Sequence, residues 1–223
     1  MMFSDREDAG RRLAARLEHL RGEQIVVLGL PRGGVPVAFQ VARALGMPLD
    51  VIVVRKLGVP REPELAMGAV GEGGVRVVNR EVVRMAGVAG EDLAAALVRE
   101  RAAVKARAAR YRARWPRLPL DGRTAVIVDD GIATGATARA ACQVARAHGA
   151  ARVVLAVPVA PPRWQVRIGG AADEMACVST PPGFCAIGQF YASFPQVSDE
   201  EVLACLEQAA AAQAASRGAS QAT

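Results

Sequence analysis

Short β-branched runs alternate along the chain with longer segments whose apolar residues recur at helical spacing. Leu13, Leu17 and Leu20 fall on one helical face behind Ser4 and Glu7, a pair at capping-box spacing, and predict an opening helix. Residues 24–30 predict a strand that stops at Pro31-Arg32-Gly33-Gly34. Helical spacing resumes over 35–45 and ends at Gly46-Met47-Pro48. A second apolar strand is expected over 49–55. The glycine- and proline-rich stretch 56–74 reads as irregular, and 75–78 as a brief strand. One or two helices broken near Gly87 and Gly90 fill 80–111. Then come a strand over 124–128, a helix over 137–148 closed by Gly149, and a strand over 152–157. The proline-rich region up to Phe194 reads as irregular with short strands. Ser198 and Glu201 open a final helix, and the Ala/Gln/Ser segment after Ala209 reads as frayed.

Strands and helices alternating at this spacing predict an α/β fold, a doubly wound, mostly parallel sheet flanked by helices. Ligands of such sheets sit beyond the carboxyl ends of the strands, near a topological switch point. Composition agrees, with 52% hydrophobic but only 4% aromatic residues, which suits aliphatic layers of helix on sheet. No repeat or linker divides the chain, so one domain is expected over 1–215, with a frayed tail at 216–223.

The formal charge of +6 does not select nucleic acid as partner, because only Lys56 and Lys105 are lysines among 28 basic residues, a skew that genome composition also produces. Within 99–117 the basic residues outnumber the single Glu100, but no aromatic platform is interleaved. A solvated helix face is the reading favoured over an RNA-binding patch. No apolar segment approaches bilayer length and none resembles a signal-peptide core, so a cytoplasmic protein without membrane contact is expected. The scattered Cys142, Cys177, Cys185 and Cys205, with His19 and His148, form no metal-ligand pattern.

The chemistry concentrates in residues 126–137, Val-Ile-Val-Asp-Asp-Gly-Ile-Ala-Thr-Gly-Ala-Thr. Two carboxylates leave the end of a buried strand and a turn of small residues opens a helix, so several peptide N–H groups point at one spot suited to a phosphate. Thr134 and Thr137 add hydroxyl donors, while Gly135 and Ala136 let backbone and phosphate approach. Asp129 and Asp130 can accept hydrogen bonds from neighbouring sugar hydroxyls or hold a cation that bridges them. A ligand with vicinal hydroxyls at one end and a monophosphate at the other matches this loop. There is no Gly-Lys-Ser/Thr ending for a Walker loop, and residues 29–34 lack dinucleotide-fingerprint spacing.

This stretch resembles the phosphoribosyl pyrophosphate signature of type I phosphoribosyltransferases, and the resemblance extends over about 24–157. It implies that Asp129 and Asp130 face the ribose hydroxyls and that Ala133, Thr134, Gly135, Ala136 and Thr137 wrap the 5-phosphate. Gly131 departs from the branched apolar residue usual in the family. The resemblance also gives Arg32, Gly33 and Gly34 to a loop that grips the pyrophosphate, and places Lys56, beside Arg55, on the same group. Residues 58–74 resemble the family's mobile loop, with Arg61, Glu62 and Glu64 as possible contacts. It further implies a small hood at 158–195, joined by the N-terminal segment and the C-terminal helix. In the hood Val159, Ala160, Phe184, Phe190, Tyr191 and Phe194 are candidates for stacking on an acceptor, with hydrophobic packing within the hood the role favoured for any one of them. Mg2+ is the implied cofactor, held by Asp129 and Asp130 indirectly or through the substrate. The activity implied is transfer of ribose 5-phosphate to an unidentified nitrogen nucleophile with release of pyrophosphate, by a possible homodimer, with no DNA partner. The alternative is a regulator of the same fold that senses the sugar phosphate and binds RNA through 99–117.

Overall fold

The computed structural model describes residues 3–60 and 62–221, apart from the side chains of Glu64 and of 216–221. In chain order the elements are α1 (Arg6–Ala15), β1 (Ile25–Gly29), α2 (Gly34–Leu45), β2 (Leu49–Val51), β3 (Val54–Val59), β4 (Glu62–Gly71), β5 (Arg76–Val78), α3 (Arg80–Met85) and α4 (Gly90–Arg112). They continue with β6 (Thr124–Val128), α5 (Ala136–Ala147), β7 (Arg152–Val159), the single turn α6 (Gln165–Ile168), β8 (Glu174–Ser179) and α7 (Asp199–Gln221).

Five strands form one parallel sheet in the order β2-β1-β6-β7-β8. Alternate residues serve opposite layers, as period-2 side-chain geometry requires. Val27, Val126, Val128, Val154 and Ala156 join the core under α2, α4 and α7, whereas Val26, Leu28, Ile127, Leu155 and Val157 join the core under α5 and α6. Helices cover both faces, so the doubly wound expectation holds. The chain runs from β1 to β2 on one side and from β6 to β7 on the other, which places the switch point between β1 and β6.

Several expectations are corrected. The apolar run 49–55 is not one strand: β2 ends at Val51 within the parallel sheet, and β3 belongs to a separate antiparallel sheet of order β3-β4-β5. The stretch 56–74 is therefore mostly regular, and Leu57, Met67, Ala69 and Val70 are buried in it. Its glycines mark close approach. A Cβ on Gly68 would stand 2.2 Å from the Val77 carbonyl oxygen, and one on Gly71 would stand 2.3 Å from Val144 Cγ1 of α5. The opening helix is capped by Asp5, whose Oδ1 accepts from the Asp8 amide at 2.8 Å, and not by Ser4. The region beyond residue 157 supplies a fifth parallel strand, β8, to the main sheet, and α7 continues through the segment after Ala209. At its start, Ser198 Oγ accepts from the Glu201 amide and the Glu201 carboxylate from the Ser198 amide, so this capping box forms as expected. Arg61, residues 222–223 and the side chains of Glu64 and 216–221 lie outside what is described, while the backbone of the expected tail is helical as far as Gln221.

Most of the basic stretch 99–117 is the solvated face expected, with Arg99, Arg101, Lys105, Arg110, Arg114 and Arg117 exposed. Arg112 is half-buried and donates to Asp50, Glu72 and the Val51 carbonyl, tying α4 to β2 and to the turn after β4. Arg110 pairs with Asp199, Arg114 with Glu207 and Arg99 with Glu100. Arg101 donates to the Gly74 carbonyl and Arg117 meets His148. Among the described residues, no helix is long and apolar enough to cross a membrane.

Candidate functional site

Gly29 is in register with Val128, so the loops after β1 and β6 leave adjacent strands at the same level, side by side at the switch point. The fit between them depends on two glycines. A Cβ at Gly33 would stand 2.1 Å from Asp130 Oδ2, and one at Gly34 would stand 2.7 Å from the Val128 carbonyl oxygen. The first loop also contains a cis peptide bond between Pro31 and Arg32. In the second, Gly135 has φ +82°, a left-handed conformation that disfavours any residue with a Cβ and fixes glycine as the N-cap of α5.

The first intrahelical bond of α5 runs from the Arg139 amide to the Gly135 carbonyl. The amides just ahead of it lie at the helix start, where partial positive charge gathers, and Ala136 reaches only Thr134 Oγ at 3.5 Å. Ala133, Thr134 and Thr137 are exposed there, while Gly135 and Ala136 are buried. The departure at Gly131 has a packing cause: a Cβ would stand 2.7 Å from Ile187 Cγ2, leaving no room for a branched side chain.

The acidic pair is electrostatically crowded. Burial, reinforced by the neighbouring Asp130, pushes the Asp129 carboxyl well above the usual carboxylate range. Asp129 Oδ1 accepts from the Asp130 amide at 2.9 Å. Burial also raises the Asp130 carboxyl, against the pull of Arg6. Arg6 Nε donates to Asp130 Oδ2 at 2.9 Å, with side-chain exposures of 10% and 13%. The same guanidinium donates to the Pro195 carbonyl at 2.7 Å and stands 3.8 Å from the centre of the Phe194 ring. One Asp130 oxygen is therefore committed within the protein.

Two adjoining depressions open at this edge. One, of about 330 Å³, is lined by Pro31, Arg55, Lys56, Arg99, Glu100, Arg107 and Thr137 together with apolar residues, mainly of the β2–β3 corner. The other, of about 410 Å³, is lined by Arg6, Arg32, Gly33, Arg107, Asp130 and Phe194 among others. The structure thus gathers Arg32, Gly33, Arg55, Lys56, Asp130 and Thr137 around one cleft. Arg55 also pairs with Glu100 at 3.1 Å. Against the cost of burial, Arg99 and Arg55 hold that carboxylate below its ordinary range.

Most of the aromatic and apolar candidates beyond residue 157 pack within the protein, the role favoured for them from the sequence. Val159 and Ala160 are wholly buried and present no face to a ligand. Tyr191 is buried too, its hydroxyl donating to the Asp130 carbonyl at 2.6 Å, and its ring packs on Phe3 and Phe194 with centroids 5.3 and 4.8 Å away. Phe184 and Phe190 pack on one another at 5.3 Å. Sequence reasoning missed Arg6 and Arg107. Arg6 belongs to the opening helix and reaches Asp130 only by tertiary packing. Arg107 is one arginine within the basic stretch, and nothing in its spacing distinguishes it.

Residues 4–185 match the family model described as "Phosphoribosyl transferase domain". The chain belongs to the phosphoribosyl transferase domain family. A Mycobacterium tuberculosis H37Rv protein named "Putative phosphoribosyl transferase Rv0571c" is 59% identical over 208 residues, covering 93% of this chain and 47% of the relative. The strain CDC 1551 / Oshkosh protein named "Putative phosphoribosyl transferase MT0597" gives the same figures, 59% over 208 residues with 93% and 47% coverage. This phosphoribosyl transferase domain thus spans about half the length of the curated relatives it matches. The crystal structure of TT1426 from Thermus thermophilus superposes with a TM-score of 0.87 at 47% identity, covering 93% of this chain and 99% of that one.

Proposed function

We propose that the chain transfers ribose 5-phosphate from phosphoribosyl pyrophosphate to a nitrogen nucleophile. The observation that carries this reading is the pairing of the 31–34 and 129–137 turns at the switch point, opposite Lys56 and Arg55. In the transfer the bond from the anomeric carbon to the diphosphate oxygen breaks with its electron pair leaving on pyrophosphate. A bond from the acceptor nitrogen to that carbon forms, and the nitrogen gives up a proton. Positive charge develops on the ribose ring and negative charge on the leaving oxygens, so no protein nucleophile is needed. Asp129 and the free oxygen of Asp130 serve the ribose hydroxyls and the cationic ring. Arg32, Lys56 and the amides of Gly33 and Gly34 serve the diphosphate, where one preorganised donor is worth about 2.7–4 kcal/mol to the transition state. Thr134, Thr137 and the amides at the start of α5 take the 5-phosphate.

Among the described residues, no three His, Cys, Asp or Glu side chains cluster as a metal cage. A magnesium ion would be held by Asp129 and Asp130, indirectly or through the substrate, and would supply charge neutralisation of the leaving pyrophosphate.

Incubation with magnesium, phosphoribosyl pyrophosphate and a panel of nucleobases and amines should release pyrophosphate with at least one acceptor. Absence of turnover across the panel, together with no calorimetric binding of the donor, would refute the transferase reading.

A further inference from the structure

Among the basic residues of 99–117, only Arg107 and Arg112 are half-buried, and only Arg112 of the two holds a carboxylate. Arg99, Arg110, Arg112 and Arg114 each hold a carboxylate. Arg107 is half-buried, and among the described residues its side chain meets the Tyr111 hydroxyl but no acid. The acids near the cleft are already engaged. Asp199 takes Arg110 and the Tyr111 hydroxyl, Glu100 takes Arg55 and Arg99, and Asp130 takes Arg6. A guanidinium that lines an open depression with most of its five donors uncommitted is available to an anion that enters it.

Its position says which anion. Among the described residues, Arg107 alone lines both depressions. On one side of it lie Lys56 and Thr137, and on the other Arg32, Gly33 and Asp130. A donor spread from the start of α5 to the 31–34 turn passes it. The arginine is also held firmly, because Val104, Ala108 and Tyr111 bury the adjoining face of α4 in the core. A donor on such a helix arrives preorganised, whereas one on a mobile loop must first be ordered.

We propose that Arg107 is a binding residue for the diphosphate of the phosphoribosyl donor, gripping it from α4 across the cleft from Arg32 and Lys56. The assignment rests on the transferase reading and adds to it a phosphate contact from outside both sequence turns. Its chemistry is the bidentate fork that guanidinium offers to phosphate oxygens.

The test is calorimetry of the whole chain with inorganic pyrophosphate, phosphoribosyl pyrophosphate and ribose 5-phosphate, on the parent and on Arg107→Ala, Arg107→Lys and Arg101→Ala. Arg107→Ala should weaken pyrophosphate and the full donor by about 10- to 100-fold, the range of charge-assisted hydrogen bonds, and leave ribose 5-phosphate unchanged. Arg107→Lys should recover part of the loss, as a point charge without the fork. Arg101→Ala, on an exposed site of the same helix, should bind as the parent does. A folded Arg107→Ala that keeps the parent's pyrophosphate affinity overturns the proposal, as does an equal loss of ribose 5-phosphate. Should Arg107→Ala fail to fold, Arg107→Lys decides: retention of full parental affinity shows the fork to be unnecessary and refutes the assignment. A parent that binds neither pyrophosphate nor the donor brings down the transferase reading itself, which the other outcomes leave standing.

Discussion

Replacing Asp129 with Asn should stabilise the folded protein while impairing the proposed transfer. The Asn side-chain oxygen can keep the bond that Asp129 Oδ1 accepts from the Asp130 amide at 2.9 Å, so the loop geometry has no cause to change. What disappears is a charge. In the parent, the half-buried Asp129 and the buried Asp130 have one guanidinium between them, Arg6, which pairs with Asp130; in the variant the pair Arg6–Asp130 stands balanced. Burial is the largest contribution raising the Asp129 carboxyl, and repulsion by Asp130 outweighs attraction by Arg6, so the net effect of removing the charge is relief. Relief of strain at functional sites commonly stabilises by about 0.5–2 kcal/mol. For a chain of this size that is roughly 1–8 °C in melting temperature. The size of the gain depends on pH. A carboxyl whose folded value is raised contributes its full stability below the ordinary value of about 4 and loses it as pH rises through the raised folded value. The gain of Asp129→Asn should therefore be small near pH 4 and grow towards pH 8. Thermal melts in metal-free buffer across that range measure it. A variant that melts below the parent at pH 8, or whose advantage does not change with pH, would contradict the assignment of Asp129 as a destabilised acid.

Gly33→Ala places a methyl group 2.1 Å from Asp130 Oδ2. It should cost about 1–3 kcal/mol in urea unfolding through overpacking, and should lower donor affinity because the two turns must separate. Arg112→Met removes the guanidinium shared by Asp50 and Glu72, both nearly buried. Leaving acids without their partner typically costs about 3–5 kcal/mol. Adding Asp50→Asn to Arg112→Met should recover part of that loss, and a fully additive double variant would show that the two groups are not coupled. Thr137→Val is nearly isosteric at an exposed helix start, so its melt should match the parent's while calorimetry with ribose 5-phosphate shows about 10-fold weaker binding. Unchanged affinity would remove Thr137 from the phosphate cradle.

What the sequence determined by itself is local. The strand 124–128, its two terminal aspartates and the small-residue turn into α5 are written in adjacent positions, because hydrogen bonding along a strand and at a helix start involves neighbours. The Ser198–Glu201 capping box was legible for the same reason. Glycine was the ambiguous letter. Gly135 allows a positive φ, but Gly68 and Gly71 admit another strand and a helix at close range, and the sequence does not distinguish these causes. The stretch 56–74 therefore read as irregular, although it folds as β3, β4 and the turn beyond. Only the tertiary structure decided which residues from distant segments meet. Arg6 reaches Asp130 across 124 positions, Arg112 gathers Asp50 and Glu72, and Tyr191 supports the Asp130 carbonyl with its hydroxyl. Arg107 faces the cleft because α4 lies over it. A guanidinium or hydroxyl can find its partner at any sequence separation once packing brings the two together, so such pairings leave no spacing to read.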